Sequence, residues 1–175
     1  PNSNLIAGNH LEHFAFLGRI LGKAVFEGIL VEPQFAPFFL NKVLGRINYV
    51  DDLQSYDSKF YQNLVQLKAL ENVEDAGLTF SVTTDGTFGS HEVVDLIPNG
   101  QNIVVTNQNV IQYVHLMAHF KLNIQIAQQS SAFLLGFRDL VPAEFIRMFN
   151  QKEMQMLIGG SPVSYTHLTL PTIKR

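Results

Sequence analysis

"FYQNLVQLKALENVEDAGLTFSV", residues 60–82, changes character midway, and that change decides the fold. Its first half places Phe60, Leu64 and Leu67 on one helical face, with Tyr61 and Val65 on a neighbouring face. Asp57 or Ser58, just upstream, can cap such a helix through a side-chain oxygen. Beyond Glu71 an acidic turn gives way to "LTFSV", a run whose β-branched and aromatic residues suit a pleated surface. Two further runs, "HEVVDL" and "NIVVT", follow. They are set apart by Asp85 with Gly86 and by Pro98, Asn99 and Gly100, both turn signals. The spacing predicts a helix followed by a three-stranded antiparallel meander.

Upstream, residues 11–31 repeat apolar side chains at helical spacing: Phe14, Leu17, Leu21, Val25 and Phe26, widened by Ile20 and Ala24. Gly18 and Gly22 stand one turn apart on this helix. Each costs about 1 kcal/mol against alanine there, so a second helix is expected to pack closely on that smooth face. Pro33 ends the helix. "QFAPFFLNKVLG", residues 34–45, then reads as core through Phe35, Phe38, Phe39 and Val43, with Gly45 closing a short helix.

Downstream of the strands, Thr106 is the expected cap of a long helix reaching about Phe137. Pro142 fits the first turn of a short helix, where its missing amide proton has no partner to lose. Asn150 and Glu153 have capping-box spacing, ahead of a helix ending at Gly159 and Gly160. Helices, a small sheet and helices again make a mostly helical α+β module. No internal repeat and no linker long enough to divide independent domains interrupts it.

Composition narrows the function classes. Charged residues are only 15% against 46% hydrophobic, which argues against disorder and implies apolar surface covered from outside the chain. A net charge of −3 without a basic run argues against nucleic acid as a partner. There is no cysteine, so these residues hold no disulfide, thiolate metal site or cysteine nucleophile. The longest apolar stretch, residues 20–31, contains Lys23 and Glu27 and is too short to span a bilayer. Residues 1–10 lack a signal-peptide pattern. A soluble cytoplasmic location follows, with the nucleus also open.

Few residues suggest chemistry of their own. His115 and His119 share a helical face at zinc-site spacing, but Leu116, Met117 and Ala118 between them include no glutamate. His10 and His13 have the same weakness. A histidine-based metal site is therefore the minor reading, beside ordinary helix-surface histidines. "GRILGKA" lacks the spacing of a phosphate-binding loop, no serine sits in a nucleophile elbow, and Glu74 with Asp75 reads as a solvated rim. No cofactor is implied.

Several long segments, in order, resemble the N-terminal lobe of HECT-type ubiquitin-protein ligases. They are "FLGRILGKAVFEGILVE", residues 16–32; residues 60–82; "VVTNQNVIQYVHLMAHFKLN", residues 104–123; and "AFLLGFRDLVPAEFIRMFNQKEMQMLIGG", residues 132–160. The likeness is strongest to the branch with an upstream IQ motif. It implies a partial N-lobe over residues 10–163, with a small docking subdomain at 57–105. Residues 1–9 would be the truncated start of the lobe, and residues 164–175 a non-native tail. The family's two-step chemistry passes ubiquitin from a docked ubiquitin-conjugating enzyme to a C-lobe cysteine, then to a substrate lysine. That cysteine motif has no counterpart here. Protein substrate would be engaged through regions outside the chain.

The same resemblance assigns Phe60, Asn63, Leu64 and Leu67 to the helix lining one side of the docking groove, Leu70 to an aromatic position just beyond it, and Tyr113, with Met117 one turn later, to an aromatic contact at the start of the long helix. On spacing alone, Phe60, Leu64 and Leu67 are more often plain core, whereas the Tyr113 hydroxyl suits a rim. The resemblance also leaves open a non-catalytic fragment that competes for the conjugating enzyme. A Leu64→Ala exchange is expected to weaken docking without unfolding the domain.

Overall fold

The computed structural model describes residue 3, residues 8–85 and residues 91–160. The Asp85–Gly86 turn, most of residues 1–9 and the tail at 164–175 therefore lie outside the described residues, wholly or in part. α1 (His10–Glu27) packs along α6 (Ala127–Arg138). Gly18 lies directly against the Phe133 carbonyl, Gly22 against that of Phe137, and Gly136 of α6 against that of Ala15. The backbones approach so closely that a Cβ at Gly18 or Gly136 would overlap a carbonyl oxygen. The two glycines read as a smooth face do receive a second helix. α1 stops earlier than expected, at Glu27, because Gly28 adopts φ +68° and Ile29 N–H returns to the Ala24 carbonyl at 2.8 Å. This left-handed cap closes the helix five residues before Pro33.

Beyond it the chain runs extended and is tied to α8 (Gln151–Gly159). Val31 N–H donates to the Ile158 carbonyl at 2.9 Å, and Phe35 N–H to Gln155 Oε1 at 2.9 Å. α2 (Pro37–Val43) follows and closes as expected at Gly45, φ +71°. Two short elements, a 3-10 turn at Val50–Asp52 and α3 (Leu53–Tyr56), lead to α4 (Ser58–Leu67). Asp57 is the cap: its Oδ1 accepts Phe60 N–H at 2.9 Å.

β1 (Ser81–Asp85) and β2 (His91–Asp95) pair antiparallel, Ser81 opposite Asp95 and Asp85 opposite His91. The expected third strand is reduced to one bridge, Thr79 with Val104. Residues 103–105 meet the chain ahead of β1 through Phe80 N–H to the Ile103 carbonyl and Val105 N–H to that of Leu78. A 3-10 turn at Gly100–Asn102 delivers them and the loop at Thr106 removes them, which leaves no length for a ladder.

The long helix expected from Thr106 to Phe137 is two helices. α5 (Val110–His119) starts after Asn109, so Thr106 precedes the cap; the Asn109 side chain accepts Thr106 N–H at 2.7 Å. A π turn at Phe120–Ile124 then breaks the axis before α6. Packing explains the break, since α5 and α6 serve different cores. α7 (Ala143–Ile146) begins one residue after Pro142, which lies just outside it. At α8 the capping box is present in both directions: Asn150 Oδ1 accepts Glu153 N–H at 3.0 Å, and Glu153 Oε2 accepts Asn150 N–H at 2.8 Å.

One core gathers Phe38, Leu53, Leu64, Leu67, Val73, Phe80, Val105, Tyr113, Val114, Met117 and Leu122. The other gathers Leu21, Leu40, Val43, Leu44, Phe133, Phe137, Ile146, Met154 and Ile158. Among the described residues no helix is long and apolar enough to cross a membrane.

The glycine contact sets a direct expectation. Gly136→Ala must push α1 off α6 and should destabilise the fold by about 3 kcal/mol, the upper range for forced overpacking. Gly8→Ala, with open space around it, should change stability by less than about 0.5 kcal/mol. Urea melts of the two variants distinguish these outcomes.

Candidate partner-docking surface

α4 carries two faces. Leu64 and Leu67 point into the first core, at 5% and 8% exposure. Asn63 faces solvent beside Lys59, Gln62 and Gln66, while Phe60 and Tyr61 are half-buried along the boundary. The Lys121 ammonium stands 5.7 Å from the centre of the Phe60 ring, close enough for a cation–π attraction. Tyr61 Oη donates to Asp51 Oδ1 at 3.2 Å. That hydrogen bond raises the phenol above its ordinary pKa, with burial and the Asp51 charge adding to it.

Past α4 the chain turns outward and leaves Leu70 at 48% exposure. One side chain fixes this exit. Asn107 Oδ1 accepts Val73 N–H at 3.0 Å, and Asn107 Nδ2 donates to the Glu71 carbonyl. Asn109 makes a second clip, from Nδ2 to the Val104 carbonyl at 3.1 Å. Asn107 thus locks the residues leaving α4 to the loop entering α5, Asn109 braces that loop internally, and both amides satisfy backbone groups no ladder reaches.

Of the seven residues assigned by resemblance, four are core. Leu64 and Leu67 are joined there by Met117 at 4% exposure and by Tyr113 at 5%. Tyr113, expected at a rim, instead packs edge-on against Phe80, ring centres 5.6 Å apart. Burial raises its phenol above the usual value. Leu64→Ala accordingly bears on stability, not on a surface contact. Asn63 and Leu70 are exposed and Phe60 partly so. These three form the accessible edge of the set.

The histidines lie apart from it. His115 and His119 are exposed on α5 and line a shallow cleft with Tyr49, Val50 and Leu116. His13 lies on the first turns of α1, its Nε2 3.5 Å from Asn9 Nδ2. Among the described residues no group of three or more histidine, aspartate or glutamate side chains is placed to hold a metal ion. Sequence reading missed Asn107 and Asn109. Their signal was the run "TNQN", which interrupts apolar sequence where a strand hands over to a helix.

Comparison with known proteins bears on this arrangement. Residues 1–174 match the HECT-domain (ubiquitin-transferase) family. The chain is 47% identical over 162 residues to E3 ubiquitin-protein ligase UPL6 of Arabidopsis thaliana, covering 92% of this chain and 16% of that protein. It is 46% identical over 166 residues to human Ubiquitin-protein ligase E3B, covering 90% and 15%. Mouse E3 ubiquitin-protein ligase HUWE1 is 43% identical over 157 residues, covering 88% and 4%. The chain spans about one sixth of the length of the first two relatives.

Burial predicts opposite behaviour for two leucines of the assigned set. Leu64→Ala should cost about 2–5 kcal/mol of folding stability through the cavity it leaves. Leu70→Ala should stay within about 0.5 kcal/mol of the parent. Thermal or urea denaturation followed by circular dichroism measures both, and equal losses would contradict the placement of α4.

Proposed function

The chain belongs to the HECT-domain family of ubiquitin transferases, and we propose that it supplies the face on which a ubiquitin-conjugating enzyme docks. The observation that carries this reading is the accessible edge of Phe60, Asn63 and Leu70, held on a closely packed frame. An aromatic and a leucine side chain give an apolar anchor somewhere to bury, and Asn63 beside them offers both a donor and an acceptor. The frame matters as much as the edge. Leu64, Leu67, Tyr113 and Met117 fix α4 from beneath, so docking does not have to order the surface first.

In this reading ubiquitin arrives on the docked enzyme as a thioester and passes to a cysteine outside these 175 residues, which contain none. The chain's own contribution is then positional. It brings the donor thioester within reach of the acceptor sulfur, and proximity of this kind accounts for a large part of such a transfer. The protein substrate is recognised elsewhere in the ligase, and the work of these residues takes place in the aqueous cytoplasm.

Calorimetry against a panel of ubiquitin-conjugating enzymes tests the proposal. Leu70→Asp introduces a charge where an apolar contact is expected. It should weaken binding of the cognate enzyme at least tenfold, about 1.4 kcal/mol, at unchanged melting temperature. Asn63→Ala should weaken it about threefold to tenfold. Parental affinity in both folded variants would move the docking face away from α4.

A further inference from the structure

Between residues 110 and 135 the chain contains neither glycine nor proline, yet the helix breaks at 120–126. Sharp breaks have identifiable causes, and with those two residues absent the cause here is tertiary. Phe120 and Leu122 are pulled into the interior, at 4% and 0% exposure. A π turn takes up the slack, and Gln125 N–H reaches back five residues to the Phe120 carbonyl at 2.9 Å. Ile126, at φ −112° and ψ 11°, then redirects the chain into α6.

Two side-chain contacts hold this corner from opposite sides. On the α4 side Lys121 lies over Phe60. On the α2 side the Lys42 ammonium donates to Asn123 Oδ1 at 3.0 Å. The corner also carries a flaw. Asn123 Nδ2 and Gln125 Oε1 are buried without a hydrogen-bond partner among the described residues, a condition that folded proteins generally avoid. Lys42 itself is partly withdrawn from water, and burial lowers its pKa.

We infer that the α5–α6 corner is a hinge between the two cores, held shut by the Lys121–Phe60 and Lys42–Asn123 contacts and opening locally, with release of Leu122, before α5 or α6 unfolds. The buried, unpaired amide atoms favour opening, because water satisfies them once the corner loosens. The two lysines oppose it. Opening withdraws Lys121 from Phe60, so the surface of α4 changes when the hinge moves. The inference concerns the chain's own motion and does not depend on what docks there.

Hydrogen exchange read by mass spectrometry on the 175-residue chain tests it. In the parent, amides of residues 121–126 should exchange at least about tenfold faster than those of 114–118 in α5 and 133–137 in α6. Lys121→Met and Lys42→Met keep the apolar stems and remove the cations. Each should speed exchange at 121–126 about fivefold or more and leave 133–137 within about twofold. Gln125→Met removes an unpaired oxygen and should slow the corner. Should Lys42→Met fail to fold, Lys121→Met and Gln125→Met still decide. Exchange at the corner in step with both cores, or equal acceleration of all three segments, overturns the hinge.

Discussion

Phe38 and Leu40 lie two residues apart on α2, and their side chains enter different cores. Phe38 packs edge-on against Tyr56 at 5.3 Å beneath α4 and α5, while Leu40, Val43 and Leu44 face α6 and α8. Phe39 touches both. α2 is therefore the shared wall of the molecule. Its polar exception, Asn41, fixes it in place. Asn41 Nδ2 donates to Asn48 Oδ1 at 2.9 Å and to Asp52 Oδ1 at 3.1 Å, and its Oδ1 accepts Gln151 Nε2 at 2.7 Å. Asn48 Nδ2 in turn donates to the Phe38 carbonyl at 3.0 Å. A buried amide whose capacity is this well filled specifies one arrangement, whereas removing a partner would strand several polar groups at about 1–3 kcal/mol each.

From this wall the surface of α4 follows. The Asn41 network positions the Val50–Asp52 turn, on which α5 packs, and Asp51 of that turn receives Tyr61 of α4. On the other side, Arg19 of α1 pairs with Asp139 at 2.8 Å across the glycine-lined contact. Both partners are largely exposed, so the pair adds little to stability. The close backbone approach of α1 and α6 holds that layer. One core is thus built on a smooth helix–helix contact, the other on aromatic and aliphatic side chains under a short sheet, and α2 joins them.

Local chemistry in the sequence carried far into the structure. The Asp57 cap, the Asn150–Glu153 box, the turn at Asn99 and the smooth face at Gly18 and Gly22 all rest on interactions within a few residues or on side-chain size alone. What went astray needed tertiary knowledge. The helical period runs unbroken past Phe120, and only the demands of two cores impose the corner. "NIVVT" has strand chemistry, but Gly100 and Thr106 leave it room for a single bridge. Within the candidate site, spacing alone reads Phe60, Leu64 and Leu67 as core, and Leu64 and Leu67 are buried while Phe60 is only partly so. Tyr113 looked like a rim residue because a phenol wants water. The edge-on contact with Phe80, from more than thirty residues away in sequence, draws it inside. Asn41 gives no signal, because an asparagine in isolation says nothing about which backbone or amide groups await it.

The frame presents a partner with the exposed edge of α4 or with the apolar ridge of α1 formed by Phe16, Leu17 and Ile20. Titrating isotope-labelled chain with unlabelled ubiquitin-conjugating enzyme, followed by amide chemical shifts, separates the two most directly. The docking account predicts that the largest perturbations cluster at residues 59–63, 66 and 70 and at Lys121, with α1 unmoved. Perturbations confined to residues 16–26, with α4 silent at saturation, would contradict it.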